Sequence, residues 1–142
     1  MIDELIADLK HDEGWKPYAY QDHLGYWTIG YGFLIDQRKN GNIPEHIAEE
    51  WLRYAANIRW QGIVSHEPWL LDQPDDVQRA VANMAYQMGV IGVLGFGKML
   101  AALRAGDRNK AANEALDSRW AKQTPNRAKR VTDLLRGKTD ES

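Results

Sequence analysis

The chain has 142 residues, long enough for one domain to bury a core without covalent staples. It contains no cysteine, which excludes disulfides, thiol chemistry and cysteine-held metals. The net charge of −2 is polarised: residues 1–82 carry 7 Lys/Arg against 14 Asp/Glu, and residues 83–142 carry 11 against 6. Such a chain either offers a basic face to a polyanion or has two differently charged solvated surfaces.

In chain order, Met1-Ile-Asp-Glu-Leu places acidic residues where a secretory signal carries basic ones, so no signal peptide is expected. Ile2, Leu5, Ile6 and Leu9 recur at helical spacing and predict a helix over 2–13, stopped by Gly14. Glu13 ends that helix on its apolar side. There, partial burial and the negative end of the helix dipole favour the protonated form that a general acid needs. An isolated Glu at a helix end is otherwise an ordinary solvated residue.

Residues 15–35, rich in aromatic and β-branched side chains and glycine, predict a small antiparallel sheet broken at Gln21–Gly25. Over Tyr26–Phe33, Trp27, Ile29, Tyr31 and Phe33 alternate with Tyr26, Thr28, Gly30 and Gly32. This predicts one bulky face and one small face that leaves room for something to lie against it. Asp36–Asn42 reads as a charged turn. Ile43-Pro44-Glu45 then opens a long helix to about His66, some 20 residues or about 30 Å, enough to bridge two lobes. Val77, Ala80, Val81, Met84, Ala85 and Met88 mark a buried central helix ended by Gly89. A turn-rich Gly92–Gly97, helices near 96–105 and 107–117, and a last helix capped by Thr124-Pro125 complete the chain. The tail after Gly137 is polar. No run approaches the roughly 18 apolar residues of a membrane span.

Glu13 and Asp22 form a candidate acid/base pair, one on a helix and one in a polar turn, environments that separate carboxyl pKa values. Thr28 is placed to hold a water with Asp22. His11, His23, His46 and His66 have no metal-ligand spacing, and no metal or organic cofactor is expected. The glycines of 25–32 do not form a phosphate-binding fingerprint. Residues 119–138 carry seven basic side chains, a solvated face or a polyanion-binding one. Trp120 either lines a cleft or fills a core.

The run Asp12-Glu13-Gly14, then Tyr18-x-Tyr20-x-Asp22-x-x-Gly25-Tyr26-Trp27-Thr28-Ile29-Gly30-x-Gly32, resembles the active-site segment of T4-type phage lysozymes. The likeness continues at Asn83–Gly89, Gly92–Phe96 and the nearly unbroken block Ser118–Val131. The resemblance implies a mostly α, α+β fold with two lobes in one domain over 1–142. A small sheet lobe spans about 14–43, a connecting helix about 44–66 and a helical lobe about 67–142, with helix 2–13 packing near the helical lobe and the substrate cleft between the lobes. It implies a muramidase that cleaves the β-1,4 bond between N-acetylmuramic acid and N-acetylglucosamine with inversion. Glu13 would be the acid, and Asp22 and Thr28 would handle the water.

It further implies that Arg127 approaches Glu13, which would oppose the burial effect and lower the Glu13 pKa. Leu34, Tyr86, Gln87, Met99, Glu114, Asn126 and Arg127 would contact substrate. The departures are Met99 in place of Ser, Glu114 in place of Asn, Tyr86 in place of Phe, and Phe33 where a His makes an ion pair. The implied setting is an endolysin made in the host cytoplasm that reaches the periplasmic wall after a holin perforates the membrane, acting as a monomer with peptidoglycan rather than nucleic acid as partner. The alternative is a wall-binding or scaffold protein that keeps the shape without turnover.

Overall fold

The computed structural model describes residues 1–35 and 42–138 and divides into two compact units, Met1–Glu50 and Trp51–Ser142. The expected turn at 36–42 lies outside the described residues except for Asn42, and so does the polar tail beyond Lys138.

The first unit opens with α1 (Ile2–Glu13), at the predicted bounds. A three-stranded antiparallel sheet follows in the order β1 (Lys16–Gln21), β2 (Trp27–Gly30), β3 (Phe33–Leu34). The single strand expected over 26–33 is thus two strands and a tight turn at Tyr31-Gly32, because Gly30 and Gly32 both take positive φ and reverse the chain. The small face is also not open. Thr28 and Gly30 are the buried positions of β2, and the Phe33 ring lies against the Gly30 backbone.

The long helix α2 (Glu45–His66) matches its prediction and runs from the first unit into the second. The second unit continues with a 3₁₀ turn (Pro68–Asp72), α3 (Asp75–Leu94), α4 (Gly97–Arg104), α5 (Arg108–Leu116), α6 (Arg119–Gln123) and α7 (Pro125–Arg136). Gly89 breaks α3 where expected, at φ 82° and ψ 169°, values that a helix cannot hold and that glycine adopts without a Cβ penalty. The chain resumes helix after it, so much of the expected 92–97 turn is helical; a kinked helix keeps Val93 in the core.

Every buried apolar side chain of the described residues lies between Ile63 and Leu135. Ile63, Leu70, Val77, Val81, Met84, Leu103 and Leu135 are its fully enclosed centre. The predicted α3 stripe is buried as read, except that Met88 is only partly enclosed. Caps set the helix ends: Asp107 accepts from Lys110 N (3.1 Å) and Ser118 from Ala121 N (3.2 Å). Thr124 precedes α7 as expected, but its hydroxyl donates to Trp120 O (2.9 Å) and caps nothing in α7. Pro125 has no N–H and so needs no acceptor there.

At its other end α7 closes by Gly137 N donating to Leu134 O (3.0 Å) and Lys138 N to Asp133 O (2.8 Å), a Schellman pair. Arg108 completes that end: its Nε donates to Leu135 O (2.7 Å) and a terminal nitrogen to Leu134 O (3.0 Å), while it pairs with Asp76 at 2.7 Å. One side chain thereby ties α5 to the C-terminus of α7 and the N-terminus of α3. Among the described residues no single helix is long and apolar enough to cross a membrane.

Candidate active site

Glu13 closes α1, and the helix stops at once because Gly14 leaves helical geometry while its N–H still donates to Lys10 O (3.1 Å). Described by itself, the first unit leaves every residue of α1 exposed, Glu13 included. The end of the helix meets the β2–β3 turn. Tyr31, in the β2–β3 turn, has its ring 5.1 Å from that of Trp15 in a tilted stack, and Lys10 Nζ stands 5.6 Å from the Tyr31 ring centre. The next residue of the turn, Gly32, meets the Glu13 carboxylate itself.

Asp22 sits in the turn of the β1–β2 hairpin, as read. Its Oδ1 accepts from Leu24 N and Tyr26 N, both at 2.9 Å, and its backbone pairs with Tyr26 and Gly25. The carboxylate is therefore a structural part of the turn through one oxygen, which fixes the direction of the other.

Thr28 is 4 % exposed, paired across the sheet with Tyr20 on one side and Leu34 on the other. Directly opposed residues share a face, so these three form one row across the sheet. The Thr28 hydroxyl donates to Tyr26 O (3.2 Å), which leaves it acceptor capacity only. A water held there must donate to Thr28, which refines the expected role. Leu34 is exposed at the sheet edge position of that row.

The remaining predicted residues belong to the second unit. Tyr86 is partly exposed on α3 with the Arg59 guanidinium 5.1 Å from its ring centre. Gln87, one residue on, accepts through Oε1 from Trp120 Nε1 (2.8 Å), so one end of its amide is committed to holding the indole. Trp120 itself is a core residue, edge-on to Phe96 at 6.0 Å. Met99 is 1 % exposed, a core side chain more than a sugar contact, because the apolar thioether is drawn into the cluster where a serine would stay at the surface. Glu114 is half-buried; it lines, with Met99, Phe96, Lys98, Arg119 and Trp120, an open hollow of about 570 Å³.

Asn126 is exposed in the first turn of α7. Arg127 donates through Nε to Asn83 Oδ1 (2.9 Å), with a longer contact to Asn83 O (3.4 Å). Asn83, which holds Arg127, is a partner that sequence reasoning passed over. Its signal was the i, i+3, i+4 spacing with Tyr86 and Gln87, which puts all three on one side of α3. Gly32 was read only as a backbone residue of the sheet, because its contact with Glu13 crosses 19 positions of sequence.

The profile of the phage lysozyme family matches residues 10–141. Among curated relatives, a probable T4-type lysozyme of Dictyostelium discoideum is 30% identical over 95% of each chain, and a second is 31% identical over the same shares. The pre-baseplate central spike protein Gp5 of Enterobacteria phage T4 is 34% identical over 89% of this chain, which spans only 26% of that larger protein. The mostly helical α+β architecture and these matches agree: the chain belongs to the phage lysozyme family.

Proposed function

We propose that the protein is a lysozyme-type glycoside hydrolase, a muramidase that cleaves the β-1,4 bond between N-acetylmuramic acid and N-acetylglucosamine in bacterial peptidoglycan. The observation that carries the reading is the anchoring of the two carboxylates within a family match. Glu13 closes a helix against a turn, and Asp22 is pinned through one oxygen by two backbone N–H groups, leaving the other directed.

In this reading, protonated Glu13 donates to the glycosidic oxygen as the bond from the anomeric carbon breaks. A water attacks that carbon from the opposite face, giving one proton to the free oxygen of Asp22 and donating its second hydrogen to Thr28. The anomeric carbon inverts, and proton exchange with solvent restores both carboxyl groups. Inversion requires room for that water, a carboxyl separation of about 6.5–9.5 Å in the productive complex, against about 5 Å for retention. Arg127, held by Asn83, belongs to the proposed substrate-binding set. Leu34, Tyr86, Gln87, Glu114 and Asn126 contact the glycan; Met99 supports that surface from beneath. No metal or organic cofactor takes part. The biological role is host lysis by a monomeric endolysin that reaches the wall after a holin opens the membrane.

Clearing of purified peptidoglycan by the native protein and by Glu13→Gln tests this. Native clearing with loss of at least about 10²-fold in the variant is expected. A folded native protein that clears nothing, or a variant that clears equally well, overturns it. Retention on peptidoglycan without turnover would identify a wall-binding protein, and preferential retention on DNA a nucleic-acid one.

A further inference from the structure

Gly32 lies in the β2–β3 turn at φ +75°, and a β-carbon built on it would stand 3.1 Å from Glu13 Cδ, 3.5 Å from Glu13 Cβ and in overlap with Oε2. Two explanations compete for a glycine there. Backbone geometry alone would suffice, since positive φ disfavours any side chain. That explanation covers Gly14 (φ +75°), Gly89 (φ +82°) and Gly106 (φ +84°), around each of which an added β-carbon meets nothing within 4 Å. It leaves out what is particular to Gly32: the missing side chain is the space the Glu13 carboxylate occupies.

What would yield to a methyl at this position decides the consequence. The turn backbone is braced by the Tyr31 ring between Trp15 and Lys10, whereas the Glu13 carboxylate is the free end of a flexible, exposed side chain. The carboxylate moves and the turn stays. The cost in stability would then be that of positive φ alone, and the cost in position would fall wholly on Glu13.

We propose that Gly32 is a positioning residue for Glu13: its lack of a side chain seats the carboxylate against the turn and sets where the acid's proton is delivered. The inference rests on the reading of Glu13 as the general acid. A displacement of about 1 Å in such a group costs about 10²-fold in rate.

The test compares Gly32→Ala with Gly106→Ala, a strain-matched change in open space, in steady-state hydrolysis of soluble peptidoglycan fragments and in thermal melts. Gly32→Ala should lower kcat about 10²-fold, with KM within about twofold, and should lower Tm no more than Gly106→Ala does. The shorter acid of Glu13→Asp makes room for a methyl, so adding Gly32→Ala to Glu13→Asp should cost less than about threefold. Equal kcat losses in Gly32→Ala and Gly106→Ala, or a full further loss in the double variant, overturn the proposal. If Gly32→Ala does not fold, Gly32→Asn repeats the comparison with a residue that tolerates positive φ. The ¹³C carboxyl resonance of Glu13 provides a readout without turnover. A native protein that fails to hydrolyse peptidoglycan defeats the functional reading, yet the resonance still decides the contact: it shifts in Gly32→Ala if Gly32 seats the carboxylate, and an unchanged resonance refutes the seating.

Discussion

The two units of this chain solve opposite problems. Among the described residues of the second, twenty apolar side chains form one cluster and fully enclose Leu103, Met84 and their neighbours. Among the described residues of the first, α1 buries nothing, and the enclosed positions are Thr28 and Gly30 of β2. Yet Glu13, Asp22 and Thr28 are all on the thinly packed unit. They are held not by a core but by single contacts: a helix that ends against a turn, a carboxylate that closes its own hairpin, and a hydroxyl bonded to a carbonyl two residues away. With the proposed roles of Glu13, Asp22 and Thr28, stability and chemistry fall on different units of the chain. Local geometry can hold a reactive group in a region that contributes little to global stability.

If this division is correct, substitutions in the two units should separate activity from stability. The largest effect expected is on activity alone. Asp22→Asn keeps an oxygen to accept from Leu24 N and Tyr26 N but removes the charge that would take a proton from water. Hydrolysis should fall about 10²- to 10⁴-fold while the melting temperature stays nearly constant; a large loss of stability would show that the charge, not the turn geometry, holds the hairpin.

Leu103→Ala is the reverse experiment. It empties a fully enclosed site and should cost about 2–5 kcal/mol by chemical denaturation, with turnover per folded molecule unchanged. Reduced turnover at full folding would break the comparison.

Arg108→Ala comes next. It removes the ion pair with Asp76 and the side-chain hydrogen bonds to the Leu134 and Leu135 carbonyls at the end of α7, for about 1–3 kcal/mol, again without change in turnover. Arg108→Lys should recover only part of this, because a point charge cannot reproduce the forked contacts.

The smallest effect concerns acid sensitivity. The hydrogen bond from Lys129 at 2.9 Å, helped by the charges of Lys129, Lys138 and Arg136, holds the Asp133 carboxyl below its usual 3.8. A lowered folded-state value stabilises the protein above pH 3.8, and that contribution is lost as pH falls through the lowered value. Melting temperatures measured between neutral and strongly acid pH should therefore fall slightly less in Asp133→Asn than in the native protein. The pair is exposed on α7, so a steep difference would contradict its surface character.

How much of this was legible beforehand follows the range of each interaction. The bounds of α1 and α2, the buried stripe of α3 and the break at Gly89 are written in spacing and in single residues, because helical contacts recur within four positions. Asp22 was legible for the same reason, since its turn is closed within five residues. The split of 26–33 into two strands was not, because alternation continues through a turn and only the positive φ of Gly30 and Gly32 reveals the reversal. Met99 misled in another way: a position assigned by resemblance to substrate carries a side chain whose apolar character draws it into the core.

The sequence by itself determined the element order and the family, and it singled out Glu13 and Asp22 as the proposed acid/base pair, all from residue type and local spacing. Only the tertiary structure decided that Glu13 is exposed and seated on Gly32, that Thr28 offers lone pairs and not a proton, and that Gln87 and Arg127 are tied to Trp120 and Asn83. Those contacts join residues up to 44 positions apart. A local pattern carries no record of such pairs, because their geometry exists only once separate elements have packed.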